Sequence, residues 1–349
     1  MYNPHVAVLV LGYNHKDTLK ETLNSALVQT YPNYEITYID NNSQDGSVTY
    51  VKENYPNIHL IENKQNLGYA GAYKQALKKV FQENYDAAVL LNPDVVADHN
   101  WLAELTVSAY ASDSIAFAQP KIYLWDNGPT DVFNTSGNEI NFLGFGYCGR
   151  YKQKDEPLLT EDAEITYASG ASLFIKKEIY QKLPGLDETF FAYLEDQDLN
   201  WQARLQDYKH IVSARSIVWH KYDFQKKHLN NFKFYLLERN RLTFLLKYYS
   251  WKLLVLILPI FIIMEAGVLL DAILKGYLVE KLKSYRDFFK NISHTLKDRG
   301  TIQANRKVSD KKLFRYLSPT ITFEEVGSPL LTIANILLKG YYSFITMIL

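Results

Sequence analysis

Val6-Ala7-Val8-Leu9-Val10-Leu11-Gly12-Tyr13-Asn14 is an unbroken apolar run closed by a glycine, a tyrosine and an asparagine. A run of this length without alternation reads as a strand covered on both faces. Outward from it the pattern repeats. Residues 36–39, 59–61, 87–91 and 115–118 are short apolar runs, and residues 16–29, 47–54, 71–84 and 98–111 between them carry helical spacing. In the first helical stretch Leu19, Leu23, Ala26 and Leu27 share one face. Regular alternation of this kind predicts an α/β fold: a mainly parallel sheet with helices on both faces and right-handed crossovers. Such sheets bind ligands at the carboxyl ends of their strands, so the loops after Leu11, Ile39, Ile61 and Leu91 are the ones to read.

Those loops hold Tyr13-Asn14, Asp40-Asn41-Asn42-Ser43, Asn66-Leu67-Gly68-Tyr69-Ala70-Gly71 and Asn92-Pro93-Asp94. A carboxylate at a strand end accepts from ribose hydroxyls or a base N–H, and glycines let backbone approach a phosphate. Taken one at a time, each loop is also ordinary turn chemistry. No G-x-G-x-x-G follows the first strand and no Walker sequence occurs, which argues against a dehydrogenase or an NTPase. A sugar-nucleotide pyrophosphorylase is disfavoured too, because Gly12-Tyr13-Asn14 stands where its glycine-rich basic loop belongs.

Further along, residues 120–165 read as irregular and as the acceptor side of a cleft. Residues 165–175 read as a strand, Pro184-Gly185 as a turn, residues 211–219 as a strand and residues 230–249 as a long helix. A helix opens near Glu195-Asp196-Gln197-Asp198. Carboxylates there are stabilised by the positive end of the helix dipole; alternatively one of them faces the cleft as a general base. His220 ends its strand, either as a plain polar terminus or as a metal ligand.

In this order and spacing the motifs resemble family 2 of the glycosyltransferases, inverting enzymes of the GT-A fold, and within it the branch of bacterial rhamnosyltransferases and galactofuranosyltransferases. The likeness covers roughly residues 5–250. It rests on residues 8–14, Asp40 to Ser43, Asn66 to Gly71, Leu91 to Asp94, and Phe190-Phe191-Ala192-Tyr193-Leu194-Glu195-Asp196-Gln197-Asp198-Leu199. The resemblance implies a nucleotide-sugar pocket that includes Tyr13, Asn14, Asp40, Asn41, Asn66, Gly68 and Asn92, with Asp40 on the base or ribose. It implies Asp94 and His220 as ligands of a divalent ion, Mg2+ or Mn2+, and Asp196 as the general base. Glu195 is second choice for the base, and Asp198 braces the loop. A dTDP-rhamnose donor leads, ahead of UDP-hexoses and UDP-galactofuranose, and the acceptor is a glycan or a polyprenyl-diphosphate-linked glycan. Two departures, Trp201-Gln202 and Pro184-Gly185 before Leu186-Asp187-Glu188, fall on the acceptor side. A scaffold subunit would commonly have lost the base or a metal ligand, whereas Asp94, Asp196 and His220 are all present.

Lys+Arg and Asp+Glu balance at 38 each, so overall charge gives no reason to expect a nucleic-acid partner. The balance conceals twelve Lys/Arg against four acids in residues 275–315. Just before that segment, residues 253–270 are apolar except for Glu265, interrupted by Pro259, and flanked by Tyr248, Tyr249 and Trp251. A second apolar stretch occupies residues 330–338. These features divide the chain into a catalytic part, residues 1–225, and a helical, membrane-associating part, residues 226–349. A single span at 253–270 would export the basic segment against the positive-inside bias. An in-plane or re-entrant arrangement broken at Pro259, on an anionic membrane surface, avoids that; the alternative is a helix buried in a homodimer interface. Cys148 is the only cysteine, which excludes an internal disulfide and fits a reducing compartment. With no basic stretch and apolar core at the start of the sequence, the expected location is the cytoplasmic face of the cell membrane.

Overall fold

The computed structural model describes residues 3–155, 159–222, 230–322 and 329–349. The chain divides into two compact units: residues 1–138, 148–203 and 208–226, and residues 139–147, 204–207 and 227–349.

The first unit begins with β1 (Val6–Gly12), α1 (Lys16–Leu27), β2 (Tyr34–Asp40), α2 (Ser47–Asn54), β3 (His59–Glu62), α3 (Gly68–Gln82) and β4 (Ala87–Leu91). There follow β5 (Val95–Ala97), α4 (Trp101–Ala109), β6 (Ile115–Trp125) and β7 (Pro129–Thr135), then β8 (Asn138–Asn141) and β9 (Gly146–Cys148), which fall essentially within the second unit, and β10 (Ala163–Glu164). The set closes with β11 (Ser172–Lys176), α5 (Lys177–Tyr180), α6 (Glu195–Leu205) and β12 (Lys209–His220). The main sheet runs β10-β12-β6-β11-β4-β1-β2-β3, with β5 on β12 and β7 on β6.

Side chains of β1 sort by parity, Val6, Val8 and Val10 into one core and Ala7, Leu9 and Leu11 into the other. Burial contributes about 1.5–3 kcal/mol for each of the larger aliphatics, which is why neither face of this strand carries a polar residue. Leu19, Leu23 and Trp101 from α1 and α4 cover the first face; Tyr73, Leu77 and Leu199 from α3 and α6 cover the second.

Strands β3, β2, β1 and β4 are parallel, as the alternation predicts. Their register sets Gly12 level with Asp40 and Asp40 level with Glu62, so the carboxyl ends finish together. Beyond β4 the sheet becomes mixed. β11 enters antiparallel, with Ser172 opposite Leu91, and delivers the loop that precedes it to the same edge. β12 is antiparallel to β5, with His220 opposite Val95.

Three expectations need correction. Residues 120–165 are not irregular: β6 runs on to Trp125 and β7 folds back on it. The signal was hidden because buried polar residues, Gln119, Lys121 and Asn134 among them, interrupt the apolar pattern. Residues 165–171 are loop, and the strand begins only at Ser172. There the N–H groups of Ala168, Ser169 and Gly170 donate to the side chains of Asn200, Gln119 and Asp196 instead of to a ladder. Finally, Pro259 does not break the apolar stretch.

The second unit consists of α7 (Asn231–Tyr248), α8 (Trp251–Leu274), α9 (Leu278–Lys290), α10 (Ile292–Ala304), α11 (Asp310–Phe314), β13 (Leu317–Ser318) and α12 (Pro329–Ile348), with β13 beside β8. Helix α8 continues through Pro259, whose ring lies on its exposed side. Proline removes one hydrogen bond there without ending the helix.

Candidate active site

The carboxyl edge is knitted together by its own asparagines. Asn14, at φ 56°, accepts the Gln44 N–H on Oδ1 at 2.8 Å and gives its own N–H to Ser43 Oγ at 3.0 Å. Asn41 donates to Asn66 Oδ1 at 2.8 Å, while its own Oδ1 receives Asn63 and the Leu67 N–H. Asn66 also accepts the Gly68 N–H at 2.9 Å. Tyr13 is exposed beside them. Gly68 sits at φ +69°, and a Cβ there would lie 2.3 Å from the Phe191 carbonyl oxygen. Only glycine fits on both counts.

Asp40 ends β2 at this edge. Its Oδ2 accepts the Ser43 N–H at 2.9 Å, and its Oδ1 is buried without a partner among the described residues. A buried acceptor left open is costly unless a ligand donates to it, and a ribose hydroxyl or base N–H meets that need.

The Asn92-Pro93-Asp94 turn is held from two sides. Thr18 and Thr22 of α1 donate to the Pro93 carbonyl at 2.7 and 2.9 Å, and the Asn92 N–H donates to the Ala171 carbonyl at 3.0 Å. The pairing of β5 with β12 then brings His220 Nε2 to 3.1 Å from Asp94 Oδ1, both side chains buried. On its other side His220 Nδ1 lies 3.2 Å from Asn134 Oδ1. An amide oxygen only accepts, so a proton on Nδ1 is one the ring can donate to Asn134, which leaves Nε2 and Asp94 Oδ1 side by side as electron-pair donors for an ion; a proton on Nε2 is donated to Asp94 instead. A carboxylate and a neutral imidazole make a donor set suited to Mg2+ or Mn2+. Neighbouring ligands of an octahedral ion at such bond lengths stand about 3 Å apart, a spacing this pair already has.

The acidic cluster follows a strained approach. Phe191, Tyr193 and Leu194 all have φ near +60°. Left-handed residues of this kind cost about 1–3 kcal/mol each and persist only where the surroundings hold them. Here the Phe191 carbonyl accepts the Ala70 N–H at 3.0 Å, tying the approach to α3. Asp196 is half-buried. Its Oδ2 accepts the Gly170 N–H at 2.9 Å and its Oδ1 the Gln197 N–H at 2.8 Å. Tyr69 completes the tie by donating to the Gly170 carbonyl. Glu195 is buried and its Oε2 has no partner among the described residues. Burial raises both carboxyls above their ordinary range. At Glu195 the charge of Asp196 adds to this, and at Asp196 the Gly170 and Gln197 amides oppose it. Asp198 is fully buried and accepts from Gln202 at 3.1 Å.

The loop at residues 169–171 therefore joins two groups, bonding Asp196 through Gly170 and the Asn92-Pro93-Asp94 turn through Ala171. Sequence reasoning missed that loop, which it had taken for strand. It also missed Asn134. Tyr69 stood in a quoted motif without a role.

The sequence model of glycosyl transferase family 2 matches residues 7–184. Among curated proteins, the chain is 22% identical over 227 residues to the O-antigen biosynthesis protein RfbC of Myxococcus xanthus, covering 62% of this chain and 17% of that one. It is 23% identical over 214 residues to the N-acetylglucosaminyl-diphospho-decaprenol L-rhamnosyltransferase of Mycobacterium tuberculosis H37Rv, covering 55% of this chain and 68% of that one. Among solved structures, GalNAc-T7 with UDP, GalNAc and Mn2+ superposes with a TM-score of 0.59 at 16% identity, over 71% of this chain and 48% of that one. That last likeness is one of fold, the GT-A arrangement. With the family match spanning half its length, and its strand-end loops arranged as described, the chain belongs to glycosyltransferase family 2.

Proposed function

We propose that the protein transfers a sugar from a nucleotide-sugar, with dTDP-rhamnose the leading donor, to a hydroxyl of a glycan or polyprenyl-diphosphate-linked glycan, with inversion and with a divalent ion. The observation that carries this reading is the meeting of Asp94 with His220, 126 residues away in sequence, on the strand edge where Asp40 keeps an open buried oxygen. Asp40 Oδ1 would accept from the nucleoside, and Asn14, Asn41 and Asn66 hold the loops that frame it. Asp94 and His220 would hold Mg2+ or Mn2+, which supplies neutralisation of the departing diphosphate. Asp196 takes the acceptor's hydroxyl proton. The new C–O bond forms at the anomeric carbon as the bond to the diphosphate oxygen breaks, and the electron pair leaves with the nucleoside diphosphate. A carboxyl raised by burial is a stronger base than an ordinary one, which suits this task.

Rhamnose leads because the mycobacterial relative is named for its transfer and the motif pattern resembles that branch. The second unit favours work at an anionic membrane surface on the cytoplasmic side. Among the described residues two helices, Trp251–Leu274 and Leu331–Ile348, are long and apolar enough to cross a membrane.

The test is release of nucleoside diphosphate from dTDP-rhamnose, UDP-hexoses and UDP-galactofuranose by the purified chain with Mn2+ or Mg2+ and membrane extract. Metal-dependent release, greatest with dTDP-rhamnose, is expected. Silence across the panel would favour a glycan-binding scaffold and overturn the catalytic reading.

A further inference from the structure

Glu265 is the one charge in the apolar run of residues 253–270, and it is firmly held. Its carboxylate receives Lys281 at 3.0 and 3.2 Å, the Tyr285 hydroxyl at 2.9 Å and Arg241. Arg241 and Lys281 also reach Glu238, so two acids and two bases close into a neutral buried cluster between α7, α8 and α9. At the start of α8, the Arg299 guanidinium lies 4.1 Å over the Trp251 ring. Farther along, Tyr341 of α12 donates to the Leu256 carbonyl at 2.9 Å.

These ties give α8 two unlike faces. Leu253, Ile257, Ile260 and Ala272 are buried on the cluster's side. Val255, Leu258, Ile262, Ile263, Leu270 and Ile273 fill the opposite arc, each at least half exposed. On α12 the same division puts Leu338 and Ile345 inside and Ile333, Ile336, Leu337, Phe344 and Met347 outside. A helix in a soluble core would be mostly buried, whereas the apolar windows of these two are 17% and 11% buried. Around them the exposed charge is mostly positive. Over residues 251–322 and 331–349, eleven Lys/Arg residues are exposed, among them Lys252, Lys283, Arg286, Lys290 and Lys339, whereas the open acid Asp271 is paired with Lys275 at 3.0 Å. That surface complements anionic headgroups.

A crossing helix would have to take Glu265 into hydrocarbon with Arg241, Lys281 and the charged helices that carry them, or tear the cluster apart. The geometry points to a monotopic anchor: α8 and α12 lie in the plane of one leaflet of a bilayer with anionic headgroups, their outer faces in the acyl boundary, and neither crosses it. This rests on the membrane attachment proposed above and specifies its mode.

The test uses the full chain in two arms. In flotation, wild type should bind phosphatidylcholine/phosphatidylglycerol vesicles more tightly than phosphatidylcholine alone. Ile262→Glu with Ile336→Glu, both on exposed sites, should weaken binding by about tenfold or more. No flotation, with sedimentation as a dimer that Ile262→Glu dissociates, would give the face to a second copy and overturn the membrane reading as a whole. In the second arm, Lys252→Cys and Lys275→Cys, placed singly in a Cys148→Ser background, mark the two ends of α8. Expressed in a bacterial host, both should react with an impermeant maleimide in inverted vesicles and neither in spheroplasts. Labelling of the two ends from opposite sides, in a protein that floats, would overturn the in-plane anchor and leave membrane attachment standing.

Discussion

His220 Nε2 lies 3.1 Å from Asp94 Oδ1, and Asn134 Oδ1 lies 3.2 Å behind the same ring at Nδ1. The pair exists because β12 runs antiparallel to β5 with His220 opposite Val95, one residue past the turn. Asn134 comes from β7, three strands away from β5 by way of β12 and β6. Three separate segments thus meet at one imidazole.

Asn134→Ala should therefore weaken metal binding without unfolding the protein. Loss of a group that orients a ligand typically costs 10–100-fold in affinity, so calorimetric Mn2+ affinity is expected to fall by about tenfold or more. Asp94→Ala should abolish it, together with the metal-dependent part of nucleoside diphosphate binding. Equal Mn2+ affinity in wild type and Asn134→Ala would remove Asn134 from that role, and nucleotide affinity indifferent to metal in wild type would remove the ion from the site.

Asp196→Asn keeps acceptors for the Gly170 or Gln197 amides but cannot take a proton. Turnover should fall by about 10²–10⁴-fold while nucleotide-sugar affinity stays close to wild type. The pH dependence has a definite sign. Burial raises the Asp196 carboxyl above the ordinary carboxylate range, so activity should fall on acidification at a pH above that range. Stability moves the other way. A carboxyl raised by folding contributes stability below its unfolded value and loses it as pH rises through the folded value. At neutral pH, then, Asp196→Asn and Glu195→Gln should melt higher than wild type. Wild-type turnover by Asp196→Asn would pass the role to Glu195, whose buried Oε2 is open.

How far the sequence could be read follows from where each group takes its partners. The four parallel strands were legible because both faces of β1 are apolar and the period is unambiguous. Asp40, Asp94, Asp196 and His220 could be singled out as candidates because each stands in a short motif whose neighbours are also distinctive. Asn134 and the residues 169–171 were not. Their roles depend on backbone N–H groups and a ring nitrogen supplied from segments distant in sequence, which leaves no local periodicity. Buried polar strands such as β6, with Gln119 and Lys121 inside, defeat a reading based on hydrophobic runs for the same reason. The apolar run 253–270 was seen, but the function of its single acid required the positions of Arg241 and Lys281.

That acid cluster yields a prediction separate from catalysis. The charges of Arg241 and Lys281 hold the Glu238 carboxyl at about 2 against the desolvation that would raise it. A folded value depressed below the unfolded one contributes stability that is present above the unfolded value, 4.5, and lost as pH falls through about 2. The shift corresponds to something on the order of 3 kcal/mol, lost over that window. Glu238→Gln leaves Arg241 and Lys281 facing Glu265 alone, and breaking one side of a buried ion pair costs about 3–5 kcal/mol. Thermal melts should show Glu238→Gln destabilised at pH 7, with the gap to wild type closing as pH falls below 4.5 toward 2. A constant gap across that range would mean that the loss comes from packing and not from the paired charge.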